Sequence, residues 1–541
     1  MPMPMQPGRT PRRAAARLLC VLLPALWLGA ERLASARSVS FDDRANGGRL
    51  PATAAETATV PVGGETSIPF LDGPSCPLEE RLFADAADGR LDEHSLLQAA
   101  LVASGVSRET TIHEYENQVA ALVVRLRKSG KLTETPYQRA QAVFEFMHQH
   151  ALRGGYSIHC TDLRTTLDEG RFNCVSGSVL FNHLAGEVGL VARGLEIPGH
   201  AMSRLTLPEK SLDVETTCPR WFRLIDDPEQ RAELVKRTIG RDPSRHHAEA
   251  REISPVEMVA MIYYNRGVDL LAEKRFEEAA VANAKALRLD PASTTARGNL
   301  LATINNWAID LGHEQQFAEA ADLLRKGLAF DPHYETLALN YIHVHHQWVG
   351  HLCGAGAFEE ALAVLARAAA ELPGRDYFRR APAEVYRRWA RWHFAQGDAE
   401  GGFAVLDRAR RTDGTCRELL EAEEAAVNDH ALELLERGQF EEALAWFDRG
   451  LARQDDAELL RDNRRVAVMR WAEEAFRRGN YAEAIRRTTY GAGPEGLHAS
   501  LRNNVRWGYH QWITELRAAG HYIEAERVAQ QASADPYLQK N

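Results

Sequence analysis

Three residues of the types that make a thiol acyl-transfer site stand in order near the middle of the chain: Cys174, His200 and Asp213. Cys174 lies in Gly170-Arg171-Phe172-Asn173-Cys174-Val175-Ser176-Gly177, a loop running into the apolar stripe Val179, Leu180, Leu184 and Val188. Asn173 or Ser176 is placed to cap that helix, so Cys174 falls at its N-terminus. Unpaired N–H groups and the helix dipole favour a thiolate there. His200 opens the β-like run His200-Ala201-Met202-Ser203-Arg204, and Asp213 sits in a second one, Leu212-Asp213-Val214-Glu215-Thr216-Thr217. A cysteine to attack, an imidazole to take its proton and a carboxylate to orient the imidazole complete such a site. Glu215, two residues past Asp213, lies on the same face of a strand and is the alternative third member.

The elements that must position these residues are helical on the N-terminal side. Helices are expected over roughly Asp92–Val106, Thr111–Lys128 and Thr135–Leu152, the last with Thr135-Pro136 as cap and first turn. Ahead of them, residues 37–90 are rich in Ala, Gly, Pro and Thr and read as a linker or lead-in. Residues 1–36 have the parts of an export signal. Arg9, Arg12, Arg13 and Arg17 precede the apolar run Leu18–Gly29, and Ala34-Ser35-Ala36 offers a cleavage site. That run is shorter than the roughly twenty residues a membrane helix needs, so no span is expected after signal removal.

The rest of the chain repeats. Phe276, Phe317, Phe358, Ala399, Phe440, Tyr481 and Tyr522 follow one another at 41-residue intervals. Ala279, Ala320, Ala361, Gly402, Ala443, Ala484 and Ala525 stand three residues later. Ten residues before the Ala/Gly positions' aromatic frame come Arg266, Trp307, Trp348, Trp389, His430, Trp471 and Trp512. Five of the ten tryptophans thus share one frame position, which marks them as core. Each unit reads as a helix, a turn with Gly such as Ala355-Gly356-Ala357, and a second helix opening Phe-Glu-Glu-Ala. This resembles the tetratricopeptide (TPR) repeat, whose usual period is about 34 residues. The seven extra residues are close to two helical turns, so helices lengthened by them keep their apolar faces aligned. An all-α TPR-like superhelical solenoid over residues 255–541 is expected, its groove suited to a peptide or protein segment.

The middle of the chain resembles the transglutaminase-like superfamily of papain-like thiol enzymes. Its core has a Cys at a helix start, a His on one strand and an Asp on the next, matched in order by Cys174, His200 and Asp213. Gly189-Leu190-Val191-Ala192-Arg193 and His200-Ala201 are similar to two further family motifs, and the resemblance spans roughly residues 135–217. It implies an α+β domain over residues 91–254. It also implies acyl transfer or hydrolysis at peptide or protein amide bonds in an exported, bacterial-type protein. A transglutaminase-like fold without activity, serving as a protein-binding scaffold, is the alternative.

The composition excludes several other classes. With 65 Lys+Arg against 75 Asp+Glu the net charge is −10, which gives no basic face for nucleic acid. Seven cysteines in 541 residues make no disulfide framework, although an exported chain leaves Cys160 and Cys218 open to pairing. No Gly-rich phosphate loop or dinucleotide fingerprint occurs, and no cofactor is expected. His343, His345, His346, His351 and Cys353 cluster on one repeat. They read as a solvated or groove-facing helix surface rather than a metal site.

Overall fold

The computed structural model describes residues 68–539, apart from 133–134, 240–249, 413–415, 455 and 493–495. The expected signal segment 1–36 and the first part of the lead-in lie outside the described residues. What is described forms two compact units, one running to Val344 and one from His345. No helix among the described residues is long and apolar enough to cross a membrane.

The first unit holds a four-stranded antiparallel sheet in the order β5-β4-β3-β6. Its strands are β3 (Val191–Ile197), β4 (His200–Thr206), β5 (Ser211–Val214) and β6 (Arg251–Ile253); a separate parallel pair joins β1 (Gly155–Tyr156) to β2 (Arg171–Phe172). β3 and β4 form a tight hairpin that sets Ile197 opposite His200 and Glu196 opposite Ala201. Pro198 fixes one turn residue and Gly199, at φ 69°, takes the left-handed one. The helix Cys174–Gly186 packs on β3 and β4 through Val175, Val179, Leu180, Phe181 and Leu184, all buried. The helix Pro136–His150 packs beside it and is capped by Thr135, as its sequence indicates.

Two expected boundaries move. The lead-in 37–90 contains a helix, Pro77–Asp85, because Pro77 opens its first turn and the Glu79 carboxylate accepts the Cys76 N–H at 3.0 Å. Leu82 and Phe83 bury its face. Glu79 itself is buried, bonded to Lys285 Nζ at 2.9 Å and accepting the Tyr263 hydroxyl at 3.0 Å. The break expected between residues 254 and 255 lies inside the first unit. The helix Pro255–Ala272, first of the repeat array, packs on β3, on the Cys174 helix and on the helix Leu96–Ala103.

The four central repeats pair a 20-residue helix with a 14-residue one, as in Asp376–Ala395 with Ala399–Thr412 and Arg417–Glu436 with Phe440–Arg453. The seven extra residues are therefore spent on helix rather than loop. The frame is locked by contacts between successive units. Phe276 stacks on Trp307 at 6.3 Å, Phe358 on Trp389 at 5.7 Å and Phe440 on Trp471 at 6.4 Å. Trp471 is buried, whereas Trp307 and Trp389 are half-buried and cover the outer face of each Phe rather than the deep core. Where the Phe is Ala399, the residue in the Trp position is His430, and the stack is replaced by Trp446 packed against Phe394, Phe403 and His430.

Each unit also turns through one left-handed residue, two positions before the aromatic: Lys274, Gln315, Gly356, Gly397, Gly438, Gly479 and Gly520. A side chain in that conformation costs roughly 1 kcal/mol relative to Gly. Lys274→Gly and Gln315→Gly are each expected to stabilise the chain by about 0.5–1 kcal/mol, and Gly438→Ala to destabilise it by a similar amount. Denaturant melts would check this, and a loss of stability on Lys274→Gly would contradict the strain assigned to that turn.

Candidate active site

Cys174 is the first residue of its helix, and Asn173 is the cap. The Asn173 Oδ1 accepts the N–H of Val175 at 2.9 Å and of Ser176 at 3.0 Å. Its Nδ2 donates to the Ile158 carbonyl at 3.1 Å and to Thr161 Oγ1 at 2.5 Å, which pins the loop before the helix. The Ser176 hydroxyl donates to the Cys160 carbonyl at 2.8 Å. With its capping groups used, the helix start presents a half-buried thiol on a fixed backbone.

His200 enters at the first position of β4, straight from the Pro198-Gly199 turn. Its Nε2 stands 2.6 Å from Glu215 Oε2, and both side chains are 1% exposed. The other ring nitrogen, Nδ1, forms no conventional hydrogen bond and is left to the thiol side of the ring. Glu215 follows the end of β5, where the chain leaves the strand and turns toward Cys218.

Asp213 does not reach this group. It lies directly opposite Arg204 on β4 and pairs with it at 2.6 and 2.9 Å. Arg204 is four residues along the strand from His200, about 13 Å at 3.3 Å per residue. The third member expected at Asp213 is therefore replaced by Glu215, which the strand alternation had offered as the alternative. Asp213 is instead half of a cross-strand ion pair.

The electrostatics follow from burial and these partners. Burial alone would discharge His200, but the Glu215 carboxylate and then the Cys174 thiolate outweigh it and raise the imidazole to about 10. Burial likewise opposes the Cys174 thiolate, yet the charge of the nearby imidazolium and the Ala201 N–H hold the thiol below its ordinary range. Glu215 is held low against burial by His200 and Thr217. The signs agree: between the lowered thiol value and about 10, the site is a thiolate–imidazolium pair backed by an ionised carboxylate.

Cys160 and Cys218, open to pairing in the sequence, are both buried free thiols, and burial pushes Cys218 up to about 11. On the repeat with the His cluster, His345 packs against the rings of Trp348 and Phe378, and His346 Nδ1 meets the Tyr377 hydroxyl at 3.2 Å. Among the described residues no group of three or more His, Cys, Asp or Glu is gathered to hold a metal.

No family model matches the chain, and no curated protein does. Solved structures of repeat proteins are similar to it at low scores. A TPR protein described as having an unusual peptide-binding site, YrrB, is 19% identical, covering 37% of this chain and 89% of its own at a TM-score of 0.15. A tetratricopeptide protein from Parabacteroides merdae is 14% identical over 50% of this chain and 97% of its own, TM-score 0.16. Human IFIT1, solved as a dimer with m7Gppp-AAAA, is 13% identical over 87% of this chain and 96% of its own, TM-score 0.15. By its own helix pairs the C-terminal part is an array of helical hairpins. Scores this low mean that the whole chains do not superpose, and the likeness lends nothing to the sheet or the thiol.

Removing the Glu215 charge withdraws what keeps His200 protonated in its buried setting. Glu215 also opposes the Cys174 thiolate directly, but that effect is smaller than the imidazolium it sustains. Glu215→Gln is therefore expected to slow Cys174 alkylation at pH 6 at least tenfold. Asp213→Asn should leave it unchanged and cost under about 1 kcal/mol of stability, as for a part-exposed ion pair. Rates measured by mass spectrometry decide between them, and the reverse ordering would restore Asp213.

Proposed function

We propose that the chain joins a transglutaminase-like thiol site to a protein-binding TPR-like array, and that Cys174 performs acyl transfer or hydrolysis at an amide bond of a peptide or protein. The single observation that carries the catalytic part is the buried contact of His200 with Glu215, its other nitrogen left to a cysteine at a helix start. In the proposed reaction the Cys174 sulfur attacks the carbonyl carbon. The carbonyl oxygen takes the negative charge beside the Cys174 backbone N–H, a donor left unpaired at the helix start. The imidazolium of His200 then gives its Nδ1 proton to the leaving nitrogen as the C–N bond breaks. The acyl-enzyme is resolved by water or an amine, from which His200 takes a proton. Glu215 stabilises the imidazolium and fixes its orientation. An export signal within residues 1–36 would put this chemistry outside the cytoplasm.

A second reading is a non-catalytic scaffold, supported by the regular helical hairpins of the array itself. Its partner would be an extended peptide or protein segment in the array, as expected from the repeat pattern. One experiment separates the two. The catalytic reading predicts that a broad thiol reagent at pH 6 labels Cys174 ahead of Cys76, Cys160, Cys218, Cys353 and Cys416. It further predicts that His200→Ala removes that selectivity and restores a steep rise toward pH 8.5. Wild-type Cys174 alkylating like an ordinary thiol would leave the scaffold.

A further inference from the structure

A buried carboxylate that must serve one ring nitrogen has two oxygens and a rotatable end. We infer that Thr217 is the positioning residue of the thiol site, dividing the two oxygens of Glu215 so that one is committed to His200. Its backbone N–H donates to Glu215 Oε1 at 2.9 Å and its hydroxyl donates to the same oxygen at 2.6 Å, while Oε2 faces His200 Nε2 at 2.6 Å. Among the described residues these three donors make all the hydrogen bonds of the carboxylate, which is as buried as the ring it serves. A buried carboxylate without them would take up a proton and cease to hold the imidazolium.

Thr217 is itself fixed. It is buried, and β-branching restricts its first side-chain torsion. The residue before it is braced from the thiol helix. The Thr216 hydroxyl meets Ser178 Oγ at 3.1 Å, on the helix that begins with Cys174. Gly177 permits the approach, since a Cβ there would come within 3.2 Å of Thr216 Oγ1. Carboxylate and thiol are thus held by the same helix. The titratable groups around Glu215 are His200 from β4, Cys174 from the helix start, His148 from the helix Pro136–His150, and Cys218 three residues on. His148 is kept neutral by burial, down to about 4, and Cys218 is kept protonated by burial, so neither changes charge across the working range.

This inference rests on the acyl-transfer reading, and its test keeps the two apart. The probe is iodoacetamide alkylation of Cys174 in the full chain as a function of pH. Thr217→Val keeps the backbone donor and the shape but removes the hydroxyl, a charge-assisted bond equivalent to roughly tenfold in an equilibrium. The low-pH inflection of Cys174 should move up by about one pH unit, and the rate at pH 6 should fall about tenfold. Thr217→Ser should restore the wild-type profile, which a role in packing alone would not produce. Should Thr217→Val be insoluble, Thr217→Ala reads the same shift. A wild-type inflection that stays in place in both variants overturns the positioning role, whereas a wild-type chain with no low-pH inflection removes the catalytic reading instead.

Discussion

The candidate site depends on one contact, that of His200 with Glu215 inside the protein. Two ionisable side chains taken out of water cost several kcal/mol each unless they are paired and otherwise bonded. The surrounding structure meets that condition from three directions. The hairpin turn delivers His200 at the first position of its strand, the exit from β5 delivers Glu215, and the Cys174 helix packs across both strands. Displacing any one of the three by a residue would leave a buried charge alone. That is a strong reason for the capping and bracing bonds around Asn173 and Thr216 to be as complete as they are.

The repeat array answers a different constraint, that of register between successive helical hairpins. Its unit of specification is a pair spanning two repeats, Phe in one and Trp in the next. A 41-residue frame follows because both partners must recur together. The fourth mark makes the point by exception: Ala399 and His430 are the two halves of one missing stack, and Trp446 fills the space from the following helix. A second constraint sits ten residues after each aromatic, where Ala286, Gly327, Ala368, Ala409, Gly450, Gly491 and Ala532 are all small. A Cβ at Gly327 or Gly450 would come within 2.5 Å of Leu337 or Leu460, so the next helix packs almost against backbone.

Much of this was legible in the sequence, and the failures have physical causes. Period and helix order could be read because the aromatic and Trp positions keep one 41-residue frame even across the break at Ala399 and His430. The small residue at the tenth position does not stand out in the sequence, because alanine is common throughout these helices. The left-handed turn residue was only half visible, since Lys274 and Gln315 occupy it where later units have Gly. In the thiol site, Cys174, Asn173 and His200 were readable from local capping and strand pattern. The choice between the two carboxylates was not, because alternation puts Asp213 and Glu215 on one face only while the strand lasts. It ends at Val214, and the bend that follows lies outside any periodic pattern. The N-terminal helix was hidden by an Ala- and Pro-rich composition that resembles linker until its partner, Lys285, is known.

That partner has a consequence for how the chain is made. Glu79 and Lys285 are 206 residues apart in sequence, and neither has its full set of bonds without the other. At a synthesis rate of about 5–20 residues per second, a ribosome needs on the order of 10–40 s to bring the second after the first. During that interval the helix Pro77–Asp85 has its buried carboxylate and its apolar face but no completed seat. The thiol unit therefore cannot finish folding when its own last strand emerges. It must wait for the first helical hairpin of the repeats, which makes the order of synthesis part of the assembly of the site.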